Sequence, residues 1–240
     1  MNKLFCRVVR SVLVSVLIAL HVCGGGEPET PPAPPKSFTL QVQPTLQQTP
    51  VWCWAASAEM VFEYYGLPNI NPVGNYQCGV IAAWFAGTPC AVDCRLCVLA
   101  VGAMSSMQQV INGYGPYVHS VGYPSRVLSS ALLFRPLSKL ELATEISSGR
   151  PVIVGINPGG GFSLPNASQH VAILVGYDFS NDRQNVILND PFPYQYAPYN
   201  QFPNPYVLAG GSQTGVGRYS LPYDALISRL LWGNTIFSIK

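Results

Sequence analysis

The apolar residues of this 240-residue chain change period half-way along it, and that change decides its class of fold. In the first half Trp54, Ala58, Val61, Phe62 and Tyr65 recur at three- and four-residue spacing until Gly66-Leu67-Pro68. That spacing predicts a helix over 53–65 with one buried face. Shorter helices are expected over 80–85, over 105–111 (closed by Asn112-Gly113) and over 138–148, stopped by Gly149. The second half holds three runs of strand character, over 151–156, 170–177 and 185–190. Further strands are expected over 38–42, 118–123, 218–220 and 235–239, with a short helix over 223–231 and a Pro/Tyr/Asn-rich loop over 191–217. Helices first and a mostly antiparallel sheet second make an α+β fold, with no internal repeat.

Composition narrows the choice further. Hydrophobic residues make up 48% of the chain and charged ones 10%, enough to bury a sizeable core in one domain. The formal charge is +2, and three of the thirteen cations, Lys3, Arg7 and Arg10, fall in the first ten residues. No basic patch remains for nucleic acid.

Those three cations precede a short apolar run over 12–20, the order of an export signal ending near residue 23. The run is well short of the ~20 residues a membrane span needs. A Gly/Pro-rich tether follows over 24–37, leaving 38–240 as the folded domain. Cys23 is a candidate for lipidation, with Leu20 three residues before it and a Gly run after it, although Val22 is bulkier than such processing prefers. The expected location is outside the cytoplasm: secreted, periplasmic or lipid-anchored, with membrane contact only through that anchor.

Export changes the reading of the cysteines. Cys78, Cys90, Cys94 and Cys97 cluster within twenty residues, whereas Cys53 stands alone. Four thiolates could hold zinc, and Cys94-Arg95-Leu96-Cys97 has the spacing, but Cys78 and Cys90 make no matching second pair. Two disulfides are therefore expected, with the pairing open, and no metal or other cofactor.

Cys53 begins the first helix, where unpaired amides and the helix dipole favour a thiolate. A base must come from His119 or His170. A hairpin centred near Ser180 pairs residues whose numbers sum to about 360, which sets His170 opposite Asp190 at roughly 5 Å between Cα atoms. Asp190 would then orient the imidazole and stabilise its cation. His119 has no acid nearby in sequence.

Gln47, six residues before Cys53-Trp54, then Gln169-His170 opening an apolar strand, then Asn189-Asp190-Pro191, together resemble the papain-like cysteine peptidases. The likeness is to the bacterial branch with secreted effector proteases and bacteriocin-leader-processing peptidases, and it spans about residues 40–240. The resemblance implies Cys53 as nucleophile, His170 as general base, Asp190 as its orienting group and Gln47 as an oxyanion donor beside the Cys53 N–H. Gln48 is second choice, one residue off the spacing. It also implies a protein or peptide substrate and a monomer, with deamidation, amide ligation or an idle binding site as the alternatives.

Two departures stand out. Pro50-Val51-Trp52 replaces the Cys-Gly-Ser/Ala that precedes the nucleophile in plant and lysosomal relatives, and residues 24–40 are too few for their folded inhibitory propeptide. Trp54 is assigned to the core, and the aromatic stretch 194–202 is a candidate wall of the substrate groove.

Overall fold

A computed structural model describes residues 32–160, 167–180, 182 and 184–240. The expected export segment, Cys23 and most of the expected tether lie outside these residues.

The expected α+β layout is observed. Eight strands form one antiparallel sheet: β1 (Ser37–Thr39), β2 (Ala131–Leu133), β3 (Val152–Ile156), β4 (His170–Asp178), β5 (Asn185–Asn189), β6 (Ser212–Gly215), β7 (Arg218–Pro222) and β8 (Asn234–Phe237). Their order is β2-β8-β3-β4-β5-β7-β6, with β1 added against the far end of β4. The helices are α1 (Cys53–Tyr64), α2 (Tyr76–Trp84), α3 (Met104–Ser120), α4 (Lys139–Ser147), α5 (Pro205–Leu208) and α6 (Tyr223–Ser228). Residues Pro34–Lys240 form one compact unit.

Every β4 residue from His170 to Tyr177 is buried, so both faces of the central strand are covered. That is why its sequence reads as a continuous apolar run rather than an alternation. α1 packs against β4 and is buried on all sides from Trp54 to Phe62. It ends in a Schellman motif: Gly66 takes a φ of +70°, its N–H donates to the Glu63 carbonyl, and the Leu67 N–H donates to the Phe62 carbonyl. Placing α1 in the densest part of the core leaves its first residue, Cys53, at the rim.

Three expectations need correction. The helix expected to stop at Asn112-Gly113 runs on to Ser120, and the strand expected over 118–123 does not form. Burial of Met107, Ile111, Tyr114 and Val118 on one helix face outweighs the local breaking signal. Gly115 is needed there for contact, because a Cβ at that position would meet the Arg126 carbonyl oxygen at 2.1 Å. The loop expected over 191–217 contains α5 and β6, and β2 lies in a stretch given no element from sequence.

The third correction concerns the β4–β5 hairpin. Ile173 pairs with Asn189 and Leu174 with Leu188, and then a bulge between Leu174 and Gly176 shifts the ladder. His170 is thus not directly opposite Asp190. Continuing the ladder sets Asp190 across from Ala172, two residues from His170 and on the same face. The expected register was wrong by an even number, so the two side chains still meet.

Candidate active site

Two elements bring the chemistry together. Cys53 is the first residue of α1, where Trp52 supplies the N-cap position but no side chain caps the helix. The first-turn amides, including that of Cys53, therefore lack intrahelical partners, and the helix dipole favours negative charge at this end. His170 is the first residue of β4 and pairs with Ile156 of β3. The preceding Gln169 is held by its N–H, which donates to Asn157 Oδ1 at 2.7 Å.

His170 Nε2 lies 2.7 Å from Asp190 Oδ1, and the Cys53 side chain acts on the same ring from the cleft that both residues line. With Nε2 occupied by Asp190, Nδ1 is the nitrogen left for the sulfur. Burial is the largest influence on the imidazole and favours its neutral form. The charge and hydrogen bond of Asp190, joined by those of Cys53, outweigh burial and raise the His170 pKa from 6.5 to about 10. The site therefore favours the protonated ring.

Asp190 is 0% exposed and has three donors. Besides His170, its Oδ1 accepts the Phe192 N–H at 2.6 Å, and its Oδ2 accepts the Tyr206 hydroxyl. Its own N–H donates to the Gly217 carbonyl at 2.8 Å, pinning the end of β5 to the β6–β7 turn. Tyr206 stacks on Tyr219 at 4.5 Å between centroids, and Phe192 sets its ring at 88° to the His170 ring. These rings keep water from a buried carboxylate that is stabilised by its hydrogen bonds.

Cys53 and His170 line a cleft of about 280 Å³ with Pro50, Val51, Pro158, Gln169, Phe192 and Tyr194. Of the stretch expected to wall a groove, Tyr194 does so, while Tyr196 and Phe202 are exposed. A larger concavity of about 560 Å³ lies across the 48–52 loop, lined by Trp52 and the disulfide segment, and contains no nucleophile.

Gln47 is buried in the loop before α1. One of its amide hydrogens is given to the Thr49 carbonyl at 2.8 Å, and the second remains to donate elsewhere. The Gln48 amide is exposed and exchanges two hydrogen bonds with Asn75, which removes it as the second choice. His119 is exposed in the last turn of α3.

Four cysteines pair as Cys78–Cys94 and Cys90–Cys97, leaving Cys53 free. That selects one of the three possible pairings. The stapled segment is bound directly to the nucleophile's neighbours. The Trp52 indole N–H donates to the Cys97 carbonyl and the Trp54 indole N–H to the Leu99 carbonyl, each at 3.0 Å. Trp54 is core, as expected, and so is Trp52.

Tyr206 was not foreseen from sequence. The available signal was Asn204-Pro205, a capping residue followed by proline at the first helical position. Asn204 Oδ1 does accept the Tyr206 and Val207 N–H groups, so this cap aims Tyr206 inward.

A nucleophile at the mouth of a core helix, facing a histidine that opens the central strand of an antiparallel sheet, defines the papain-like cysteine peptidases. Within that class the chain belongs to the Peptidase_C39 like family, whose model matches residues 37–213. No curated protein matches it.

Proposed function

We propose that the chain is an exported cysteine peptidase that hydrolyses peptide bonds through Cys53, His170 and Asp190. The observation that carries this reading is His170 held between the Cys53 sulfur and a fully buried, three-times hydrogen-bonded Asp190. The Cys53 thiolate attacks the scissile carbonyl carbon, and its oxygen becomes an oxyanion facing the Cys53 N–H and the spare Gln47 amide hydrogen. The His170 imidazolium gives its Nδ1 proton to the leaving amine as the C–N bond breaks, leaving a thioester on Cys53. The neutral ring then takes a proton from water, whose oxygen attacks the thioester. The acid product departs and the ion pair is restored.

Residues 1–23 are assigned to export and 24–37 to a tether. Two disulfides fit an oxidising compartment, and among the described residues no helix is long and apolar enough to cross a membrane.

Incubation with a thiol-directed covalent inhibitor, followed by peptide mapping, tests the reading. The adduct is expected on Cys53, and Cys53→Ala is expected to abolish turnover. An adduct elsewhere, or full activity in that variant, overturns it. Mass analysis of products separates cleavage from deamidation or a new crosslink.

A further inference from the structure

The loop that carries Gln47 has no regular secondary structure between β1 and α1, so its position must come from contacts outside any ladder or helix. One side chain grips it on both sides of Gln47. Gln77, in the second position of α2 and 1% exposed, is hydrogen-bonded to the residues on both sides of Gln47. Its Oε1 accepts the Gln48 N–H at 3.0 Å, and its Nε2 donates to the Leu46 carbonyl at 2.9 Å. The second Nε2 hydrogen goes to Glu59 Oε2 of α1, also at 2.9 Å. From the other side, the Gln47 N–H donates to the carbonyl of Pro191, the residue after Asp190.

We propose that Gln77 is a positioning residue that holds the Gln47 amide at the reaction centre. This deepens the peptidase reading and rests on it. The task needs one acceptor and two donors on a single planar group that reaches from α2 to both the loop and α1. Glutamine meets all three requirements; glutamate lacks the donors and asparagine is one carbon shorter. The base of Gln77 is itself anchored, because the Asn75 side chain caps α2 by accepting the Cys78 N–H, and Cys78 is disulfide-bonded to Cys94. Glu59 is a fitting counterpart: burial, opposed by the Gln77 hydrogen bond, raises its pKa to about 7, so a donor there matters most when it ionises.

Two reagents separate positioning from general damage. Acylation of Cys53 by p-nitrophenyl acetate passes through an oxyanion, whereas alkylation by iodoacetamide does not. Gln77→Ala is expected to slow acylation by roughly tenfold to a hundredfold, the cost of misplacing a group by about 1 Å, while alkylation changes by less than about twofold. The double variant Gln47→Ala/Gln77→Ala is expected to be no slower than Gln47→Ala alone, since Gln77 acts through Gln47. Should Gln77→Ala fail to fold, Gln77→Glu keeps the acceptor, and its acylation is expected to recover towards acid pH as the new carboxyl gains a proton to donate. The proposal is overturned if acylation and alkylation fall in parallel, if the two substitutions multiply, or if acylation is unchanged. A wild-type Cys53 that reacts with both reagents no faster than free cysteine removes the peptidase reading itself, and this proposal with it.

Discussion

At the residue scale, the buried Asp190 carboxylate organises the site more than the histidine it serves. Three donors converge on it, and one of them, Tyr206, comes from a four-residue helix capped by Asn204. Tyr206→Phe keeps the stacked ring and deletes the donor. Turnover is expected to fall about three- to tenfold and stability by about 1–3 kcal/mol, read from kcat and a urea unfolding curve. In the proposed mechanism His170 carries the pH dependence. Its pKa is raised to about 10, so the proton needed by the leaving amine is present at neutral pH and is lost as pH rises through that value. Amide turnover is expected to fall on that alkaline limb, while alkylation of Cys53 does not fall with it. Asp190→Asn removes the charge that holds the proton, and the limb is expected to move to lower pH in a kcat–pH profile.

At the element scale, α1, which begins with Cys53, is clamped from two directions. Its far end is closed by the Gly66 turn, and its near end is tied through Trp52 and Trp54 to the segment stapled by the Cys90–Cys97 bond. The disulfides therefore brace the mouth of the cleft rather than a remote loop. Loss of a native disulfide costs about 2–5 kcal/mol in small exported domains. Cys90→Ser/Cys97→Ser is expected to lower kcat several-fold with Cys53 still titratable by a thiol reagent. A variant with full kcat would show that the tryptophan bonds do not depend on the staple. The four clustered cysteines were legible as a stapled loop because an export signal favours disulfides and Cys78 and Cys90 make no matching second zinc pair. Their pairing was not legible, since it depends on how α2 folds back over the following turns.

At the scale of the whole molecule, two buried groups pull stability in the same direction with pH. Glu59 is raised from 4.5 to about 7 chiefly by burial, so the folded chain holds a proton there that the unfolded chain releases. Stability is lost as pH rises through that window, by up to ~3 kcal/mol. His170, raised from 6.5 to about 10, also binds its proton more tightly when folded, and its contribution is lost as pH rises through that range. The unfolding temperature is expected to be higher near pH 5 than near pH 9. Glu59→Gln keeps an acceptor for Gln77 and is expected to remove the part of the decline below about pH 7, leaving the part due to His170, as followed by calorimetry.

The sequence by itself determined the fold class and singled out the candidates for nucleophile and base, because these rest on local signals. Periodicity marks helices and strands, a helix start favours a thiolate, and only two histidines lie in the domain. Even the His170–Asp190 pair was legible despite a wrong register, since an error of two residues leaves both side chains on one face of a β-sheet. Only the tertiary structure decided the rest. The bulge in β4, the continuation of α3 past Gly113, the inward aim of Tyr206 and the grip of Gln77 on the Gln47 loop all join residues far apart in the chain. Such contacts leave no periodic trace in sequence, because burial and hydrogen bonding across the fold set them against or independently of local preference.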